Sequence, residues 1–422
     1  MTAPTAGTPP TGTPPTGASQ SGTTTSGTTT GPLAGVRVAD FSRVLAGPYA
    51  TMLLAELGAE VIKVEHPVHG DDSRAWGPPH AGGEAAYYLS ANRGKRGLAL
   101  DVKHPEGREV ARRLCAGADV VIENFRPGVA ARLGLDEETV RRANPSVVYC
   151  SIRGYTGDDR PGFDATIQAE SGLMHITGED KPIKPGVAIT DVLSGLNAAV
   201  AILGALYRRA TAGKGERVEV SLMNSALSGL VNVAQSALVS GTEAERYGNA
   251  HPTVVPYQTF AASDGWFVIA AGNDRLFRTL CEAIGRADLG TDARFATNGD
   301  RVRNRDVLIP ELSALFATRT AAEWTSLLDG AGVPVGRIRG VLEALRATEG
   351  ATFQVEHPTA GTLDLVRTGF TLDSVPADRE IAAPPLLGQH TREVLTELGF
   401  APSDISRMEE AGVVRQAVDP ST

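Results

Sequence analysis

Cysteine is scarce in this chain. Three residues, Cys115, Cys150 and Cys281, occur in 422. An odd, sparse set at no zinc spacing excludes a disulfide framework and a structural metal site, and it fits a reducing, cytoplasmic setting. No uninterrupted apolar run of about 18 residues is present, so no membrane span is expected. The amino terminus has no basic segment followed by an apolar one, so no secretory signal is expected. Positive charge is not in excess either: Lys plus Arg is 40 against 49 Asp plus Glu, a net charge of −9. That balance argues against a dedicated nucleic-acid binder, which needs a broad basic surface. The common catalytic signatures are also missing. There is no G-x-G-x-x-G, no Walker A motif, no H-E-x-x-H and no G-x-S-x-G elbow, so a nicotinamide or flavin reading has little support.

What is there is ample core material, at 42% hydrophobic residues. The length suggests two or three domains. Residues 1–31 are almost wholly Thr, Gly, Pro, Ser and Ala, a composition that cannot offset its ordering entropy, so they are expected to form a flexible leader. From there strands and helices alternate. Strands are expected at 36–41, 59–65, 97–101, 118–124 and 146–152, with helices at 47–57 and 105–116 between them. Strand, helix, strand within about 30 residues is a βαβ unit. The expected fold class is therefore α/β, a doubly wound parallel sheet that binds ligands beyond the carboxyl ends of its strands. Apolar residues at helical spacing predict one long helix over 190–209 and another over 220–240. A strand at 266–271, helices at 274–285 and 303–318 and a short one at 322–328 suggest a smaller α+β domain. The expected division is a large domain over 32–225, a small one over 226–345, and a return to the first over 346–422, with a helix at 391–398.

Several residues carry chemistry. Arg93, Lys95 and Arg96, with Arg126 and Arg132, form a basic set near the expected crevice. Guanidinium and ammonium groups bind phosphate through charge-assisted hydrogen bonds, and Phe125 beside them offers a ring for a flat base. The alternative is surface charge and a core Phe. Asp191 opens the long apolar helix. It reads as an N-cap accepting backbone N–H bonds, or as a carboxylate stabilised by those bonds and the helix dipole, with a lowered pKa and a nucleophile's role. Asp164 is a second acid or another cap.

Taken together, these stretches resemble the class III coenzyme A transferases. The resemblance covers about residues 32 to 416 and is carried by Pro32-Leu33-Ala34-Gly35-Val36-Arg37-Val38, Ala46-Gly47-Pro48, Gly58-Ala59-Glu60-Val61-Ile62-Lys63-Val64-Glu65, Asn92-Arg93-Gly94-Lys95-Arg96, Glu123-Asn124-Phe125-Arg126-Pro127-Gly128 and Asp191-Val192-Leu193-Ser194-Gly195. It implies a Rossmann-like CoA-binding large domain and a homodimer of two interlocked, ring-like chains. It also implies acyl-CoA as substrate, with no permanently bound cofactor. The family's catalytic aspartate falls on Asp191, which would pass through a mixed anhydride and an aspartyl-CoA thioester. CoA contacts carry over to Val44, Lys95, Arg96, Asn124, Phe125, Arg132 and Leu133. Leu45 and His66 stand where formyl-CoA transferase has glutamine and arginine, and its glycine loop is not evident, which argues against formyl or oxalyl specificity. Arg246-Tyr247-Gly248-Asn249-Ala250-His251-Pro252, Val255-Pro256-Tyr257-Gln258-Thr259-Phe260, Gly332-Val333-Pro334-Val335-Gly336 and Pro384-Pro385-Leu386-Leu387-Gly388-Gln389-His390 are similar to the succinyl-CoA–glutarate subgroup. That implies dicarboxylate substrates, with Arg43, His251, Tyr257 and Gln258 as candidates for a distal carboxylate. His251 is alternatively a structural histidine, and the others alternatively shape a loop. An acyl-CoA racemase or isomerase needs a base on each face of the α-carbon, and Phe163 cannot serve where that branch has a histidine. A non-catalytic CoA-binding protein is the remaining alternative.

Overall fold

The computed structural model describes residues 31–376 and 379–418. The leader at 1–31 lies outside the described residues except for Gly31. Six parallel strands form the centre of the large sheet: β1 (Arg37–Asp40), β2 (Glu60–Glu65), β3 (Lys95–Leu100), β4 (Val120–Glu123), β5 (Val148–Arg153) and β6 (Arg217–Ser221). Their spatial order is β3-β2-β1-β4-β5-β6, and Val414–Arg415 adds an antiparallel edge beside β3. The chain winds outward from β1 in one direction and from β4 in the other, so the β1–β4 boundary is the switch point where ligands bind.

Both faces of the sheet are covered. Successive residues along a strand point to opposite sides. Val38, Val61, Val120 and Val148 thus enter one core while their neighbours Ala39, Ile62, Val121 and Tyr149 enter the other. The first core holds helices α1 (Ala46–Glu56) and α4 (Ile189–Ala212). The second holds α2 (Pro105–Ala116), which starts at the expected residue with His104 accepting the Glu106 N–H and Pro105 in the first turn. A short helix, α3 (Asp164–Glu170), packs beside α4. By length and composition α4 is apolar enough to cross a membrane. Ala198, Ile202 and Ala205 nevertheless lie fully or almost fully buried in the first core, as in a core helix of a globular protein.

The helix expected at 220–240 is instead three elements. Val218 and Val220 alternate with exposed Arg217 and Glu219, the period of a strand, and form β6. Ser221 then caps α5 (Leu222–Gly229), accepting the Asn224 N–H at 3.3 Å. A 78° bend separates α5 from α6 (Val231–Ser240). Its break follows Gly229, where an added Cβ would stand 2.8 Å from Leu193.

Residues 255–333 contribute a third core around Phe260, Phe267, Phe316 and Trp324. It packs under a three-stranded antiparallel sheet of Tyr257–Ala261, Trp266–Ala270 and Val335–Arg337. The helix expected at 303–318 is found as Arg305–Phe316. After a hairpin (Thr352–His357 and Gly361–Val366), the chain comes back to the large sheet, where Gly97 N donates to His390 Nδ1 and Ala99 N to Thr391 Oγ1.

Candidate active site

A cleft of about 420 Å3 opens at the switch point. Its walls are the loops after β1 (Arg43 to Ala46) and β4 (Asn124 to Pro127), the end of β5 (Ile152, Arg153 and Gly154) and the segment 158–164, with Asp191 and Leu222. One amide ties the two switch-point loops together. Asn124 Oδ1 accepts the Arg43 N–H at 2.9 Å, and its Nδ2 donates to the Arg43 carbonyl at 2.8 Å. Beside it Glu123 is buried, accepting from Ser151 Oγ and Phe125 N, and burial pushes its pKa up. The Phe125 ring sits half-buried, 6.5 Å from Phe41.

Asp191 is in the cleft but is not a cap. The helix begins two residues earlier, at Ile189, and Asp164 at the start of α3 takes the capping duty instead. Asp164 Oδ1 accepts both the N–H and the hydroxyl of Thr190, at 2.9 and 2.7 Å, and Oδ2 accepts from Gln168 Nε2 at 2.6 Å. No hydrogen-bond donor reaches the Asp191 carboxylate among the described residues. The expected lowering of its pKa is therefore reversed. Burial, and then the charge of Asp164, push it up to about 7. A carboxylate that is desolvated, unpaired and still in contact with an open cleft is a more reactive base and nucleophile than one clasped by donors. The half-buried Tyr87 phenol is raised to about 12, first by burial and then by the charges of Asp191 and Asp164, which places it within their field.

The basic residues divide. Arg43, half-exposed, lines the cleft and reaches Asp72 at 3.4 Å. Arg126 lies exposed at the lip. Arg153 and Arg160, not singled out from the sequence, line the cleft as well. Arg160 is held by Asp158 and Glu170, whereas the Arg153 guanidinium makes no hydrogen bond or close ion pair among the described residues, though its charge acts on Glu123. The available signal was position: Arg153 directly follows the strand expected over 146–152, at the carboxyl end where such sheets bind ligands.

Lys95, Arg96 and Arg93 are elsewhere. Lys95 is 1% exposed, its Nζ committed to Asp40, the Pro48 carbonyl and Asn92. Burial lowers its pKa to about 7 against the opposing pull of Asp40. Arg96 pairs with Glu60, Glu393 and Glu397, at the end of the sheet where β2 starts, away from the cleft. Arg93 is buried against Glu56. Strand β3 begins at Lys95, two residues earlier than expected, so in the single chain these side chains serve the sheet and the returning helix. Arg132 is exposed and Leu133 packs in the second core, on the short helix Val129–Leu133 just beyond the lip.

His251, Tyr257 and Gln258 do not line the cleft of this chain. The His251 N–H donates to the Tyr257 carbonyl, the two rings lie 5.4 Å apart, and Arg305 donates to the His251 carbonyl. Gln258 pairs with Ile269 inside the antiparallel sheet. Tyr257 and Gln258 thus lie in a strand rather than in the loop that was their alternative reading. Phe163 is 58% exposed in the cleft wall, where a second base would be needed for racemisation.

Comparison with known proteins gives the family. The model of CoA-transferase family III matches residues 33–391. Succinyl-CoA:glutarate CoA-transferase of Mus musculus is 42% identical over 396 residues, 91% of this chain and 91% of that protein. Succinate–glutarate CoA-transferase of Agrobacterium fabrum is 40% identical over 388 residues, 87% of this chain and 96% of that one. The crystal structure of a CaiB/BaiF family protein from Brucella suis superimposes with a TM-score of 0.76 at 39% identity, covering 87% of this chain and 100% of its own. With the resemblance running through the whole folded chain and through the cleft itself, the protein is a member of CoA-transferase family III.

Proposed function

We propose that the protein moves CoA from succinyl-CoA to glutarate or a closely related dicarboxylic acid, with Asp191 as the covalent nucleophile. The observation that carries this reading is the unpaired Asp191 carboxylate, raised to about 7 in the cleft wall. The relatives that are 40–42% identical over most of the chain bear that activity in their names.

The steps balance without an external energy source. The Asp191 carboxylate attacks the thioester carbon; the C–S bond breaks and CoA leaves as thiolate. The thiolate then attacks the aspartyl carbonyl of the mixed anhydride. Succinate departs and an aspartyl-CoA thioester remains. A carboxylate of the acceptor attacks that thioester, releasing the thiolate again, and the thiolate takes the acceptor's acyl group and returns Asp191 to its free form. One thioester replaces another, so the overall free energy is near zero, and covalent catalysis divides one hard exchange into easier steps.

Asn124 and Phe125 flank the path of the CoA arm, and Val44 forms its opposite wall. Arg126 and Arg153 offer uncommitted charge to phosphate. Arg43, weakly tied to Asp72, is the cation placed for the distal carboxylate, which needs a counter-charge when desolvated. We further propose a homodimer of interlocked chains. Val200, Tyr207, Val231, Leu238 and Val239 leave an apolar surface 68–79% exposed along α4 and α6, and a second copy would cover it. The same copy would bring its 251–258 segment to this cleft.

The test is mass spectrometry after incubation with succinyl-CoA and mild hydroxylamine. The expected result is a modification on Asp191 and, for Asp191→Ala, loss of all succinyl-CoA-dependent glutaryl-CoA formation. A fully active Asp191→Ala removes the proposal. Solvent deuterium entering the α-carbon without an acceptor would instead indicate racemase chemistry.

A further inference from the structure

Val44 is a β-branched residue with φ 71, in the left-handed region that such side chains rarely occupy. Strain of this kind persists only where the surroundings over-determine it. Here they do. The Val44 N–H points at both oxygens of Asp71, at 3.2 Å each. Asp71 is itself held on several sides. Its Oδ2 accepts from Lys63 Nζ at 2.8 Å, its Oδ1 from Ser73 N and Oγ at 2.9 and 2.7 Å, and its own N–H donates to Glu65 Oε2 at 2.9 Å. The side chains of Lys63 and Asp71 are wholly shielded from solvent. Lys63 Nζ also donates to the Ser42 carbonyl at 3.1 Å, so the same ion pair holds the loop at Ser42 as well as at Val44.

The residues that follow are the cleft wall. Val44, Leu45 and Ala46 line it together with Asp191, whereas Asp71 does not. The carbonyl of Ala46 lies against Gly195, one turn along from Asp191, where an added Cβ would stand 2.7 Å from it. The direction in which the chain leaves Val44 therefore sets how the first turn of α1 meets the helix that carries the nucleophile.

We propose that Asp71 is a positioning residue: through the Val44 N–H it holds the strained turn that aims the 44–46 backbone at Asp191. The inference rests on Asp191 as the reacting group. That reading stands or falls on Asp191→Ala, while the comparison below is free to fail with Asp191→Ala inactive.

The experiment is Asp71→Asn in two backgrounds, wild type and Val44→Gly, read as kcat/KM for succinyl-CoA-to-glutarate exchange alongside the thermal midpoint. Val44→Gly alone loses activity through its missing side chain, so each loss is taken within its own background. Glycine adopts positive φ without a steric penalty and needs no clamp. Asp71→Asn is expected to lower kcat/KM about tenfold or more in the wild type and less than about threefold in Val44→Gly. The thermal midpoint should fall by similar amounts in both, because the unpaired Lys63 is common to them. Equal activity losses in the two backgrounds overturn the proposal and leave Asp71 a purely structural residue. If Asp71→Asn does not fold, Asp71→Glu keeps the charge beside Lys63 while displacing the carboxylate, and the same comparison decides.

Discussion

Asp191→Asn should abolish transfer and make the folded protein more stable. The folded chain raises this carboxyl from 3.8 to about 7, chiefly by burial. At about 1.4 kcal/mol per pH unit, the ionised form costs the folded state about 4 kcal/mol. The cleft is open to solvent, and screening lowers this to about 2 kcal/mol. The pH dependence has a definite sign. At pH values below the unfolded pKa both states hold the proton and no penalty exists. Between there and about 7 the unfolded chain has released its proton and the folded chain keeps it, so wild-type stability declines as pH rises. Above that window the penalty is complete. Urea unfolding of the wild type and of Asp191→Asn measures it directly: the variant is expected to be more stable by about 2 kcal/mol near pH 8, with the gap narrowing towards about pH 5. A variant less stable than the wild type, or a gap that does not change with pH, would refute the argument that Asp191 is an uncompensated carboxylate. The same displacement governs turnover. With Asp191 as the proposed attacking group, which must be ionised, kcat/KM of the wild type should climb through a midpoint near 7.

Two more substitutions separate structural charges from ligand contacts. Lys95→Met leaves Asp40 buried with Ser42 and Thr51 as its remaining side-chain partners, at 2.5 and 2.6 Å, and should cost about 3 kcal/mol in urea unfolding with little change in KM for CoA thioesters. A raised KM with unaltered stability would return Lys95 to the CoA site. Gly195→Ala drives a methyl group to 2.7 Å from the Ala46 carbonyl and 3.0 Å from Tyr49. It should cost about 1–3 kcal/mol and depress kcat, as α1 is pushed away from Asp191; unaltered kcat and thermal midpoint would show that the two helices part without consequence.

The elements legible in the sequence are those whose pattern and punctuation agree. Helix α2 runs over the 12 residues read for it because His104-Pro105 marks its start and Gly117 its end. The strands β1, β2 and β4 are equally plain as short, nearly unbroken buried runs, since both of their faces are covered, and Gly35, Gly58 and Asp119 stand ahead of them. The segment 220–240 misled because Val220, Leu222 and Met223 satisfy a helical period as well as a strand, and only the 78° bend after Gly229 reveals the division. At the site the backbone positions were readable and the charges were not. Phe125 beside a strand end and Asp191 at the start of a helix were visible as positions, while Asn124 and the choice of role for all three came only with the family resemblance. Lys95 and Arg93 look like free cations in sequence, but a charge must be paired to be buried at all, and their partners, Asp40 and Glu56, lie 55 and 37 residues away. The state of Asp191 was hidden for the complementary reason. Its pKa depends on whether a donor is present, and the donors of the first turn of α4 had already been taken by Asp164, 26 residues upstream of Thr190. Pairing across the fold decides both cases: it ties Lys95 to Asp40, and by its absence among the described residues it leaves the Asp191 carboxylate uncompensated.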